Sequence, residues 1–297
     1  MDTRPTPLPG PATDAEVRAT PSAGVSRRGF LATALASGFA LAAQPVTAET
    51  ITTDSAGLVA GPVVLPVAGG EVSAYRAMPS GARKAPVVLV IEEIFGVHAH
   101  IQDVCRRFAK LGYYAIAPEL FTRQGDVTRL SDVSEILTKV ISRVPDAQVL
   151  GDLDATLAYA GASGQADVSR TGIVGFCWGG RTVWLYAAHN RSVRAGVAFY
   201  GLLDGMKSDI KPSDPVDIAA TLTVPVLGLY AEKDGYIQAA VVDRMQADLD
   251  RSPSGSQIVV FPGVNHGFHA DYRPTYDRAA ATYAWQLTRD WLTRHGV

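Results

Sequence analysis

From residue 63 onward the chain switches repeatedly between two hydrophobic periods. Val63–Val67 and Glu71–Arg76 read as two short strands around Gly69-Gly70, a hairpin pattern. Pro86–Ile91 is an unbroken apolar run, the mark of a strand buried on both faces. Ile101, Val104, Cys105, Phe108 and Leu111 then recur at helical spacing, and Gly112 closes a helix over 98–111. Tyr113–Ala117 is a second apolar strand, stopped by Pro118. Helices are predicted over 131–143 and 147–161, a strand over Thr171–Phe176 and a helix over Gly179–Ala188. Strands follow at Val193–Tyr200, Val224–Tyr230 and Ser256–Phe261, with helices at 237–249 and Pro274–Arg294. Strand and helix in alternation predict an α/β fold: a mostly parallel sheet with helices on both faces.

The pattern starts late, and residues 1–48 differ from the rest. Residues 1–25 are rich in Pro, Thr, Ala and Ser and carry no apolar period. Ser26-Arg27-Arg28-Gly29-Phe30-Leu31 precedes a small, apolar run from Ala32 to Ala43, and Val46-Thr47-Ala48 follows. Basic region, short apolar region and small-x-small site, in that order, predict an export signal of the twin-arginine type, cleaved after Ala48. The apolar run is far short of the ~20 residues that span a bilayer, so no stable membrane anchor is expected. The expected organisation is an export signal over 1–48 and one domain over 49–297, with the export machinery as a partner and a periplasmic or otherwise exported location.

With 27 basic against 29 acidic residues and no block of like charge, nucleic acid is not an expected partner. Two cysteines cannot build a disulfide scaffold. Cys105 lies on the apolar face of its helix and reads as a packing residue. His98, His100, His266 and His269 have no zinc-site spacing, and neither a metal nor a cofactor is expected.

In an open parallel sheet, chemistry sits at the carboxyl ends of the strands. After strand 171–176 comes Gly175-Phe176-Cys177-Trp178-Gly179-Gly180, the G-x-nucleophile-x-G elbow with Cys as nucleophile. The helix that follows favours a thiolate at its N-terminus. After strand 224–230 comes Asp234, and after strand 256–261 comes His266. Nucleophile, acid and histidine occur in the chain order of α/β-hydrolases. Glu93 follows strand 86–92 at the same edge, where a buried carboxylate is costly without a partner or a task. Glu92, its neighbour, faces the other way.

These residues resemble the dienelactone hydrolase family (carboxymethylenebutenolidases). The resemblance covers the whole of 49–297. It rests on Glu92-Glu93-Ile94-Phe95-Gly96-Val97, Ala117-Pro118-Glu119-Leu120-Phe121, the Cys177 elbow, Asp234 and His266-Gly267-Phe268. It implies an α/β-hydrolase fold, with Cys177, His266 and Asp234 as catalytic triad. It also implies that Glu93 contacts the thiol and takes its proton when substrate arrives. The N–H groups of Ile94 and Trp178 match the family's oxyanion hole. Arg273, after the triad histidine, and Arg123, with Arg129 as an alternative, match its substrate-binding arginines.

A cysteine nucleophile narrows the substrate. A thiol with a pKa of ~8.5 gives a stable leaving group, so the first adduct collapses backward unless the substrate's own leaving group is comparably good. Enolates and other stabilised oxyanions qualify, which favours an activated ester or lactone cleaved through an acyl-thioester. A general carboxylesterase or thioesterase on the same fold is the nearest rival. A non-catalytic exported binding protein is the rival from another class, and it would have no need for Cys177, Asp234, His266 and Glu93 together.

Overall fold

The computed structural model describes residues 50–297. The expected export signal over 1–48 lies outside the described residues. Eight strands form one sheet: β1 Leu58–Val67, β2 Gly70–Pro79, β3 Ala85–Ile91, β4 Tyr114–Pro118, β5 Ala166–Phe176, β6 Ala195–Phe199, β7 Val226–Ala231 and β8 Gln257–Phe261. Their order across the sheet is β1-β2-β4-β3-β5-β6-β7-β8. The β1–β2 and β2–β4 pairs are antiparallel and all others are parallel. Five longer helices cover the sheet: α1 Ala99–Lys110, α2 Asp146–Ala162, α3 Trp178–His189, α4 Ala239–Leu249 and α5 Arg278–Arg294.

Burial explains why the inner strands show as apolar runs. Val87–Ile91 and Tyr114–Ala117 have no exposed surface, because both sheet faces are covered there. The hairpin is longer than its apolar pattern. β1 begins at Leu58 and carries Pro62 and Pro66, which interrupt that pattern. As the edge strand it tolerates residues that lack an N–H. β5 also begins earlier, at Ala166. Its first half is polar and joins β3 through an irregularity between Pro86 and Val87.

Two helices differ from expectation. Residues 133–143 start as one α-turn, widen into a π-turn over Ile136–Val140 and tighten over Ile141–Arg143. Ile136, Val140 and Ile141 of this segment reach the core. The last helix starts at Arg278 rather than Pro274. Asp277 caps it by accepting Ala280 N–H at 2.8 Å, and residues 263–277 are left as a turn-rich loop.

Candidate active site

β5 and α3 meet with Cys177 alone between them. Its backbone sits at φ 55°, ψ −111°. A non-glycine residue there costs on the order of 1–3 kcal/mol, so its surroundings must hold it in place. The glycines of the elbow provide that hold by close approach. A Cβ on Gly175 would lie 2.3 Å from Gly179 O, and one on Gly179 would lie 2.5 Å from Glu92 O. Cys177 N–H donates to Phe199 O at 3.0 Å and pins the turn to β6. The buried thiol is thus lifted off the sheet edge at the N-terminus of α3.

Asp234 stands three residues past β7. Its Oδ1 accepts Tyr236 N–H at 2.9 Å and Ile237 N–H at 3.2 Å. That fixes the carboxylate and leaves Oδ2 for His266, whose Nδ1–H donates to it at 2.8 Å. On its other side His266 faces Cys177, near enough for the two groups to interact electrostatically. The Tyr200 and Tyr236 rings hold the imidazole from two sides, each at 4.9 Å between centroids. Burial pulls His266 down, but the Asp234 carboxylate and Cys177 outweigh it and push the imidazole up to about 10.

Glu93 lies fully buried at the end of β3. Its Oε1 pairs with Arg273 Nη2 at 3.1 Å, and Tyr272 OH donates to Oε2. His98 Nε2 lies 4.0 Å from the same oxygen. The resemblance puts Glu93 at the thiol; here its oxygens are turned to Arg273, Tyr272 and His98. Burial raises this carboxyl, yet the Arg273 guanidinium, helped by the Tyr272 hydrogen bond, holds it below the usual range. The counter-charge is Arg273, because burial pulls His98 down to about 4 and leaves it neutral at pH 7. Tyr272 and His98 are site residues that sequence reasoning missed.

Arg273 is seven residues beyond His266, and the loop folds back to bring it home. Ala270 N–H donates to Gly267 O and Arg273 N–H to Ala270 O, both at 2.9 Å. Gly267 sits at φ 78°, and a Cβ there would press on Arg273 Cδ at 3.1 Å. Asp271 anchors the loop from behind through His100 at 3.0 Å and Arg107 at 2.8 Å.

Trp178 opens α3, so its N–H has no intrahelical acceptor. Ile94 follows Glu93, and the contact of Gly179 with Glu92 O sets the two segments side by side. The structure commits Arg123 elsewhere. It donates to Ala68 O at 2.9 Å and pairs with Asp152, a buried carboxylate that would otherwise stand uncompensated. Arg129, exposed, pairs with Asp126 at 2.9 Å. Of the arginines expected at the substrate, Arg273 alone is joined to Glu93. Cys105 is buried, and burial pushes its thiol far up, which makes it inert. Both cysteines are free. Among the described residues no group of His, Cys, Asp and Glu could hold a metal ion, and no helix is long and apolar enough to cross a membrane.

A mostly parallel eight-stranded sheet, a strained elbow and a Cys–His–Asp series at its carboxyl edge define an α/β-hydrolase fold. Within that class, the chain belongs to the dienelactone hydrolase family, whose sequence model matches residues 72–296. It is 54% identical over 274 residues to a candidate carboxymethylenebutenolidase of Methylorubrum extorquens strain AM1, covering 92% of this chain and 94% of that protein. A candidate carboxymethylenebutenolidase of Escherichia coli K12 is 45% identical over 267 residues, covering 90% of this chain and 98% of that protein. A crystal structure of a candidate dienelactone hydrolase from Klebsiella pneumoniae superposes with a TM-score of 0.78 at 46% identity, over 80% of this chain and 99% of that one.

Proposed function

We propose that the protein hydrolyses an activated ester or lactone through a thioester on Cys177, with His266 and Asp234 completing its triad. The supporting observation is the convergence of Cys177 at the elbow, His266 facing it, and Asp234 hydrogen-bonded to His266. A substrate anion or carbonyl that engages Arg273 weakens the Glu93 ion pair. Glu93 then keeps its burial but loses its main stabilising charge, so its proton affinity rises and it takes the Cys177 proton. Cys177 Sγ bonds to the carbonyl carbon, and the carbonyl π pair moves onto oxygen, where the Ile94 and Trp178 N–H groups receive it. Collapse breaks the carbon–oxygen bond, and the leaving group departs as an enolate or similar oxyanion. Acylation removes the Cys177 charge that helped raise His266, so the imidazole takes a proton from the attacking water. The adduct expels the Cys177 thiolate, which His266 reprotonates, and Glu93 gives its proton to the departed oxyanion.

The test is turnover of a panel of aryl esters and enol lactones. Cys177→Ala is expected to abolish it, and Cys105→Ala to leave it within a few-fold. Full activity in Cys177→Ala removes the reading.

We also propose export through the N-terminal segment, from the order Arg27-Arg28, apolar run and Val46-Thr47-Ala48. Replacing both arginines by Lys should strand the precursor in the cytoplasm, and exported wild type should begin at Glu49. Normal export of the Lys-Lys variant counts against a twin-arginine route.

A further inference from the structure

Glu92 adjoins Glu93 in sequence but has different surroundings. Its side chain is wholly buried, and Oε1 accepts Leu120 N–H at 2.8 Å. That bond sets its carboxyl against the residue that follows Glu119, within reach of the Glu119 carboxyl. Glu119 Oε1 accepts Val97 N–H at 3.1 Å, and Glu119 N–H donates to Ser73 O at 2.8 Å. The other charged groups nearby give no counter-charge. Glu93 is paired to Arg273, and Asp126, whose charge reaches Glu119, is paired to Arg129. Among the described residues no ion pair reaches either Glu92 or Glu119.

Two neighbouring carboxyls, Glu92 wholly buried and Glu119 half-buried, with no cation paired to either, do not both ionise, because each charge disfavours the other and burial disfavours Glu92 most. Burial and the Glu119 charge push Glu92 well above the usual carboxylate range, and burial raises Glu119 as well. Leu120 N–H already fills Glu92 Oε1, so Oε2 is left to carry a proton toward Glu119.

We propose that Glu92 and Glu119 share one proton, carried on Glu92, and that this acid pair positions both donors of the oxyanion hole. The pair ties the segment after β3 to the segment after β4. Glu92 lies two residues before Ile94, and its carbonyl packs on Gly179 beside Trp178. Phe121, two residues after Glu119, packs edge-on against the Trp178 ring at 4.7 Å. Breaking the bridge would let both donors drift, and deleting a single oxyanion donor outright costs ~10²–10³ in rate. The effect on rate rests on the hydrolase reading; the shared proton does not.

Two measurements test this on the full-length protein. Infrared spectra at neutral pH should show the C=O stretch of a protonated carboxyl in wild type, and Glu92→Gln should remove it. No such band in wild type, or an unchanged band in Glu92→Gln, overturns the shared proton. With an aryl ester, Glu92→Ala should lower kcat by about ten-fold, a partial loss on that scale, with KM little changed. Glu92→Gln supplies a neutral donor in place of the acid and should recover most of that loss. Gln as slow as Ala, or Ala as fast as wild type, overturns the positioning role. If the Ala variant does not fold, the spectra of wild type and Glu92→Gln still decide the pair. Activity surviving in Cys177→Ala would refute the hydrolase reading while leaving the infrared result standing.

Discussion

At Glu93 several groups compete for one carboxylate. Arg273 holds it ionised, Tyr272 fixes one oxygen, and the thiol it is proposed to serve waits for that hold to weaken. Glu93→Gln should therefore lower kcat by ~10²-fold, the usual scale for a lost general base. Steady-state kinetics on the aryl ester checks it, and wild-type turnover would show that the thiol ionises without Glu93. The residues of this site differ in how far the sequence discloses them. Cys177, Asp234 and His266 each sit just past a strand end, and strand ends are visible in the apolar pattern. Glu93 needs the resemblance as well, because strand alternation separates it from Glu92 without saying which one faces the chemistry. Tyr272 comes to light only with the fold, since turns at Gly267 and Ala270 decide what faces Glu93. Arg123 shows the reverse case. A guanidinium reads the same in sequence whether it meets a substrate or the buried Asp152.

At the level of elements, β3 and β4 are plain from their apolar runs. Glu92 lies just past the end of β3 and Glu119 just past the end of β4, and together they join the two loops below the site. That joint makes stability depend on pH. Glu92 in the folded protein keeps a proton that the unfolded chain releases above about 4.5. The folded state then binds more protons, so stability falls as pH rises from there through the folded-state value. Glu92→Gln removes this slope. Its Tm should match wild type near pH 4 and exceed it increasingly toward pH 8; a constant offset would deny that Glu92 titrates late. Element boundaries are less legible where a local device sets them. Asp277 begins α5 four residues late by capping it, and a π-turn interrupts the segment at Ile136–Val140. Neither device alters the hydrophobic period read along the chain.

For the whole molecule, one sheet brings several strand ends to a common edge, and distant parts of the sequence converge there. Glu93, Cys177, Asp234 and His266 are ordered along the chain as their strands are, yet β4 enters between β2 and β3, so neighbours in space are not neighbours in sequence. The parallel inner sheet is legible because both its faces are apolar. The antiparallel edge is only partly so, because Pro62, Pro66 and the half-exposed β1 break the alternation. The proposed chemistry is centred on one atom, the sulfur of Cys177. Mixing the enzyme with a slowly hydrolysed aryl ester, quenching in acid and mapping the adduct by peptide mass spectrometry tests that placement directly. One acyl group per chain is expected, on the peptide containing Cys177, formed and lost at the rate of turnover and missing in Cys177→Ala. An acyl group on Cys105 or another side chain, or steady turnover with Cys177 never acylated, would contradict it.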